Sequence, residues 1–179
     1  MSQSATLYHI TQKDFKILES ANGKNLKSIN LNGNYSTFHG SFMALEYMLS
    51  KGRDEQNQKL IKEIFSPTNT LGYPDLGDKD YMEYSEEEID AILNTISYIS
   101  PETVLCINAL LVNIDEKVFA DMYDSNELNK NDVYPCNWHD DNSADLGFNK
   151  QHISDDFKIL KSFFQKATQE NVYVLCFVG

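Results

Sequence analysis

FKILKSFFQKATQENVYVLCFVG, residues 157–179, holds two different periodicities, and together they decide the fold. Phe157, Leu160, Phe163, Phe164 and Ala167 recur at steps of three and four, which is one face of a helix. Ser154 stands just before them, where an N-cap belongs. Residues 172–178, VYVLCFV, are instead a continuous apolar run with the length and β-branched content of a strand buried on both faces. Such a strand belongs in the middle of a sheet. Its candidate neighbour is ATLYHI, residues 5–10, with Leu7 and His9 on one face and Tyr8 and Ile10 on the other. The pattern predicts an α+β fold: one helix-rich domain over residues 1–179, with a small sheet that includes the N-terminal and C-terminal strands.

The segments in between read mostly as helices. Thr11 and Asp14 mark a helix start, Phe15, Ile17 and Leu18 follow, and Asn22-Gly23 ends it. A helix is expected from Ser36 or Thr37 on the stripe Phe38, Phe42, Leu45 and Leu49, closed by Gly52. Another runs from Asp54 through Leu60, Ile61, Ile64 and Phe65 until Pro67 stops it. Residues 66–80 read as loop, with short strand character over 80–84. Ser85 and Glu88 form a capping box, and Ile89, Ile92, Leu93, Ile96 and Ile99 predict a helix reaching 99. Ser100-Pro101 restarts the helical pattern, which continues in one or two pieces to about residue 123. Residues 124–152 are polar and read as irregular.

Four stretches resemble the YfbM-like family, a bacterial domain family of unknown function. They are LYHITQKDFKILES (7–20), FMALEYMLSKG (42–52), VYPCNW (133–138) and the closing helix and strand quoted above. The resemblance spans nearly the whole chain. It implies the same α+β fold and supplies no catalytic residues. Some domains of this general kind are immunity proteins that neutralise bacterial toxins, which by analogy implies a similar role.

Asp and Glu number 27 against 15 Lys and Arg, for a net charge of −12. Such a surface repels phosphate backbones, so direct nucleic-acid binding is not expected. The excess is local: residues 71–100 hold eight acidic groups and one basic, and residues 115–145 hold nine and two. It serves either solubility or a basic partner. No apolar run approaches the roughly 20 residues of a membrane-spanning helix. Residues 1–6 have no signal-like core, so a cytoplasmic location is expected. The three cysteines are odd in number and widely spaced, which suits a reducing compartment. Cys106 and Cys176 lie in apolar runs and read as small hydrophobes.

Motifs for catalysis are sparse. Cys136, His139 and His152 fall short of a four-ligand zinc site unless Asp140 or Asp141 joins them, and Cys136–His139 makes only a short-range thiol–imidazole pair. Asp75, Asp78 and Asp80 lack the spacing of a calcium loop. Tyr8-His9 with Tyr35-Ser36-Thr37 faintly resembles the His/Tyr arrangement of ADP-ribosyltransferases, but the last strand carries no Glu, and Glu170 precedes it in a turn. No metal and no cofactor is therefore expected. The function expected is that of a non-enzymatic acidic binding protein, an immunity-type inhibitor occluding a basic bacterial toxin or enzyme. Asp75, Asp78, Asp80, Glu83, Glu86, Glu87, Asp140 and Asp141 would supply the field, and Tyr134, Trp138 and His139 the anchors. Two alternatives stay open. One is an enzyme or binding domain for a small nucleotide-like ligand, using His9, His39 or His139 as acid–base groups. The other is a regulatory or structural module. The first reading requires the two acidic stretches to converge around an exposed indole.

Overall fold

Val174, Leu175 and Cys176 are all buried, because β5 (Tyr173–Val178) has a strand on either side and side chains packed on both faces. β1 (Ser4–Ile10) and β4 (Ile96–Ile99) flank it. β2 (Tyr35–His39) and β3 (Asn69–Leu71) form the edges. The order is β2-β1-β5-β4-β3, antiparallel at every pairing. The expected central strand and its pairing with the first strand are both present. This computed structural model describes residues 3–29, 31, 33–73, 83–143 and 146–179.

The pleat sorts the core into two parts. Ala5, Leu7, Phe38, Ile99, Val174 and Cys176 face the larger helical layer. That layer contains α2 (Phe42–Ser50), α3 (Glu55–Lys62), α5 (Pro101–Val112) and α8 (Lys150–Glu170). α8 contributes Phe157, Leu160, Phe163, Phe164 and Ala167, all buried, and each large ring among them stabilises by about 1.5–3 kcal/mol. On the opposite face, Ile10, Leu71, Ile96 and Leu175 meet Phe15 and Leu18 of α1 (Gln12–Ser20). α4 (Glu86–Leu93) precedes β4, while α6 (Glu116–Asp121) and α7 (Ser125–Lys130) follow α5. The expected capping box at Ser85 and Glu88 and the Pro101 helix start are formed.

Several boundaries depart from the sequence reading, each for a physical reason. Residues 36–39 belong to a strand rather than to the next helix. Gly40, at φ +71°, turns the chain between Phe38 and Phe42, whose four-residue spacing only imitated a helix. Ile96 and Ile99 also lie in a strand. Three apart in a strand, they point to opposite faces, Ile96 toward α1 and Ile99 toward α8, so a double-sided core reproduced a helical period. β3 is a short polar edge within the expected loop. α7 buries only Ser125 and Leu128, so its sequence carries little periodicity. Asn149, not Ser154, caps α8 by accepting from the His152 N–H at 2.9 Å. Cys106 is exposed rather than a core residue, whereas burial pushes the Cys176 thiol up to about 12. The expected strand over 80–84 falls largely outside the described residues.

A Cβ on Gly40 would lie 2.7 Å from the Phe148 ring, in addition to the left-handed backbone. Gly40→Ala should therefore lower stability by about 1–2 kcal/mol in chemical denaturation. A neutral result would show that the Phe148 ring yields freely.

Candidate functional site

FMALEYMLS is apolar almost all round, with a single charge, Glu46. As α2 this segment buries Phe42, Ala44, Leu45, Met48 and Leu49. Met43, Glu46, Tyr47 and Ser50 are left on its outer face at helical steps. They line a cleft of about 660 Å³, which Gln58 of α3 and Asn131, Asp132, Val133 and Tyr134 after α7 close on the other side.

The electrostatics of this cleft are anionic. Burial lifts the Glu46 carboxyl above its ordinary range, and Lys62 offsets only part of that cost. Among the described residues Glu46 makes no hydrogen bond or ion pair. Lys51, the one cation among the described lining residues, is already engaged, since its ammonium bonds the Glu127 carboxylate. Tyr47 Oη donates to the other Glu127 oxygen at 2.9 Å. These two donors hold Glu127 below its usual range, Lys51 contributing most. The rings of Phe42, Tyr47 and Tyr134 and the thioether of Met43 supply the apolar walls. Tyr134 Oη also accepts from the Gln3 N–H at 3.1 Å, which ties this wall to the sheet. An unpaired carboxylate among aromatic rings suits a cation.

The other expected site residues do not converge. Trp138 is only 3% exposed. Its indole N–H donates to the Val133 carbonyl at 3.0 Å, and its ring meets Tyr123 and Phe148 edge-on. Asn129 bonds both its backbone N–H and its carbonyl. The expectation of an accessible anchor is thus corrected: Trp138 is the core of the segment that folds back onto the start of α8. Asp140 accepts from Ser125 Oγ, Asp141 from the Ser143 N–H, and exposed His139 bonds the Phe148 carbonyl through its backbone. Glu83, Glu86 and Glu87 are exposed, and Glu87 lies beside Gly23 and Gly72 at the β3 edge. The segment carrying Asp140 packs instead near Gly40, at the end of β2. Those edges are four strand spacings, roughly 19 Å, apart. Among the described residues the acidic groups therefore do not gather around the indole, as the sequence reading required. Asp75, Asp78 and Asp80 lie outside the described residues.

The histidines have separate roles. His152 Nδ1 accepts from the Phe148 N–H at 2.9 Å, which leaves its proton on Nε2, 3.4 Å from Asp156 Oδ2. Hydrogen bonding to Asp156 holds His152 above its ordinary value, although charging the ring gives up the Nδ1 bond from the Phe148 N–H. Ser41 Oγ donates to the same Asp156 oxygen. The carboxylate stands between serine and imidazole, so no base is placed on Ser41, and the triad order of a hydrolase is not met. The trio ties the start of α2 to the first turns of α8. His9 faces an acceptor at each nitrogen, 3.3 Å from Glu170 Oε2 and 3.2 Å from the Phe163 carbonyl, and burial lowers its pKa in spite of Glu170, so the neutral ring donates to only one of them. His39 is exposed at the end of β2, and Cys136 is exposed. Among the described residues no three His, Cys, Asp or Glu side chains are placed to hold a metal ion. No helix among them is long and apolar enough to cross a membrane.

Glu46 and Asp156 went unnoticed in the sequence, although each leaves a trace. Glu46 interrupts an apolar helix. Asp156 lies on the inward stripe between Ile153 and Phe157, four residues after His152.

No curated protein matches the chain. Among solved structures it is similar to the crystal structure of a protein of unknown function, YfbM from Escherichia coli, with a TM-score of 0.61 and 13% identity over 100% of both chains. At that identity the likeness is one of fold. The resemblance seen in the four sequence stretches is borne out at that level, and a family model agrees with it over residues 1–177. That model describes a domain of unknown function, DUF1877, and the chain belongs to this family.

Proposed function

We propose that the chain is a non-enzymatic, cytoplasmic binding protein for a basic protein partner, an immunity-type inhibitor that occludes a bacterial toxin or enzyme. The α2 cleft receives a lysine or arginine side chain of that partner. The observation that carries this reading is the Glu46 carboxylate, desolvated in an aromatic-lined cleft, with the charge of Lys62 offsetting only part of that cost. An incoming ammonium or guanidinium supplies the missing charge and the hydrogen bonds. The neighbouring acids are those of α7 and its flanks, Asp124, Glu127 and Asp132. The α4 acids Glu87 and Asp90 line a different cleft, beside Gly23 and Gly72. Tyr134, a wall of this cleft, belongs to the proposed contact surface.

Titration with a fluorescent lysine-rich peptide, followed by anisotropy, tests the reading. Binding should weaken as salt is raised, and Glu46→Gln should weaken it about tenfold, or about 1.4 kcal/mol. The same substitution removes a desolvated charge, so thermal stability should hold or rise. Absence of saturable binding, or an affinity indifferent to Glu46→Gln, would overturn the assignment.

A further inference from the structure

A second cleft has the opposite electrostatic character. Lys158, Ser162 and Lys166 follow one another at four-residue steps along one face of α8. His9 of β1 and Asn34 and Ser36 at the start of β2 face them across a cleft of about 430 Å³. Among the described residues the lining itself holds two ammonium groups and no carboxylate, and the Glu170 carboxylate stands behind it, 3.3 Å from His9 Nδ1 and accepting from the Asn34 amide at 3.5 Å. The His9 ring packs on the Phe163 ring at 4.2 Å, and its two nitrogens face the Glu170 carboxylate and the Phe163 carbonyl, so His9 forms a wall and not a ligand.

The two lysines are weakly committed. Lys158 Nζ is 2.8 Å from Asp155 Oδ1; Lys166 Nζ is 2.6 Å from Asn34 Oδ1 and 4.0 Å from Glu170 Oε1. Both side chains are about half exposed, and ion pairs of this kind contribute only about 0.2–1 kcal/mol. An anion offering several oxygens competes readily for them. Their backbone positions are about 12 Å apart along the helix, too far for one compact anion to draw on both without strain. Lysine side chains reaching inward narrow that gap, and two linked anionic groups offer each ammonium its own oxygens, with the hydroxyls of Ser162 and Ser36 in the same lining.

We infer that this cleft binds a small molecule carrying two linked phosphoryl groups, one clasped by Lys158 and the other by Lys166. It shares no lining residue with the Glu46 cleft, so the two assignments stand or fall separately.

Calorimetric titration with inorganic pyrophosphate, in phosphate-free buffer at low salt, tests the site. The native protein should bind saturably, more tightly than it binds orthophosphate, and the His9 ring resonances should move during the titration. The double substitution Lys158→Gln and Lys166→Gln should weaken binding at least tenfold while leaving the circular dichroism melt unchanged. No saturable binding, or equal affinity in the double variant, would remove the site. Orthophosphate binding as tightly as pyrophosphate would overturn the two-group assignment.

Discussion

Trp138→Ala should lower the unfolding free energy by about 3–5 kcal/mol. The indole is 3% exposed and sits between Tyr123 and Phe148, so its removal leaves a cavity among rings with no simple way to close it. The Val133 carbonyl also loses its donor. Trp138→Phe fills much of the volume and should cost less, mainly the hydrogen bond and a smaller void. Urea denaturation followed by far-ultraviolet circular dichroism measures both. Because Trp138 is the only tryptophan, native emission should also be blue-shifted relative to the unfolded chain. A cost below about 1 kcal/mol for Trp138→Ala would mean that the indole is exposed after all, and would restore it as a partner anchor.

Asp156→Ala should cost about 3 kcal/mol and change how stability depends on pH. The carboxylate is buried and accepts from Ser41, with the His152 imidazole on its other side. Without it the Ser41 hydroxyl is left as a buried donor. His152 is held above its ordinary 6.5 in the folded state, so its contribution is complete below that value and fades as pH rises through the raised one. His9 works in the opposite sense. Burial holds its pKa down, so its contribution is lost as pH falls below the same ordinary value. The two effects partly cancel in the native protein. The difference between native protein and Asp156→Asn, which keeps the shape, isolates the His152 part. That difference should shrink between pH 6 and pH 8. A constant difference across that range would mean that His152 is not charged by Asp156.

The periodicities of residues 157–179 made the central strand, its neighbour β1 and the long helix legible, because each buries a continuous apolar pattern. The edges were less so. β3 and α7 bury few side chains, and β4 is buried on both faces, which mixes the two periods. The candidate sites were harder still. Glu46 acquires its meaning only when α7 and its following turn close over α2, some 85 residues on. Trp138 misled for a related reason: its neighbours in the chain are polar, whereas Tyr123 and Phe148, its neighbours in space, lie on either side of it in sequence.

The pairing of β1 with β5 joins residues 163 to 173 positions apart, from Ile10↔Tyr173 to Ala5↔Val178. At ordinary translation speeds that separation means roughly 10–30 s between the ribosome's delivery of one strand and of the other. Until then the sheet lacks its middle, and Leu7 lacks the strand that flanks it. The fold thus closes last at its centre.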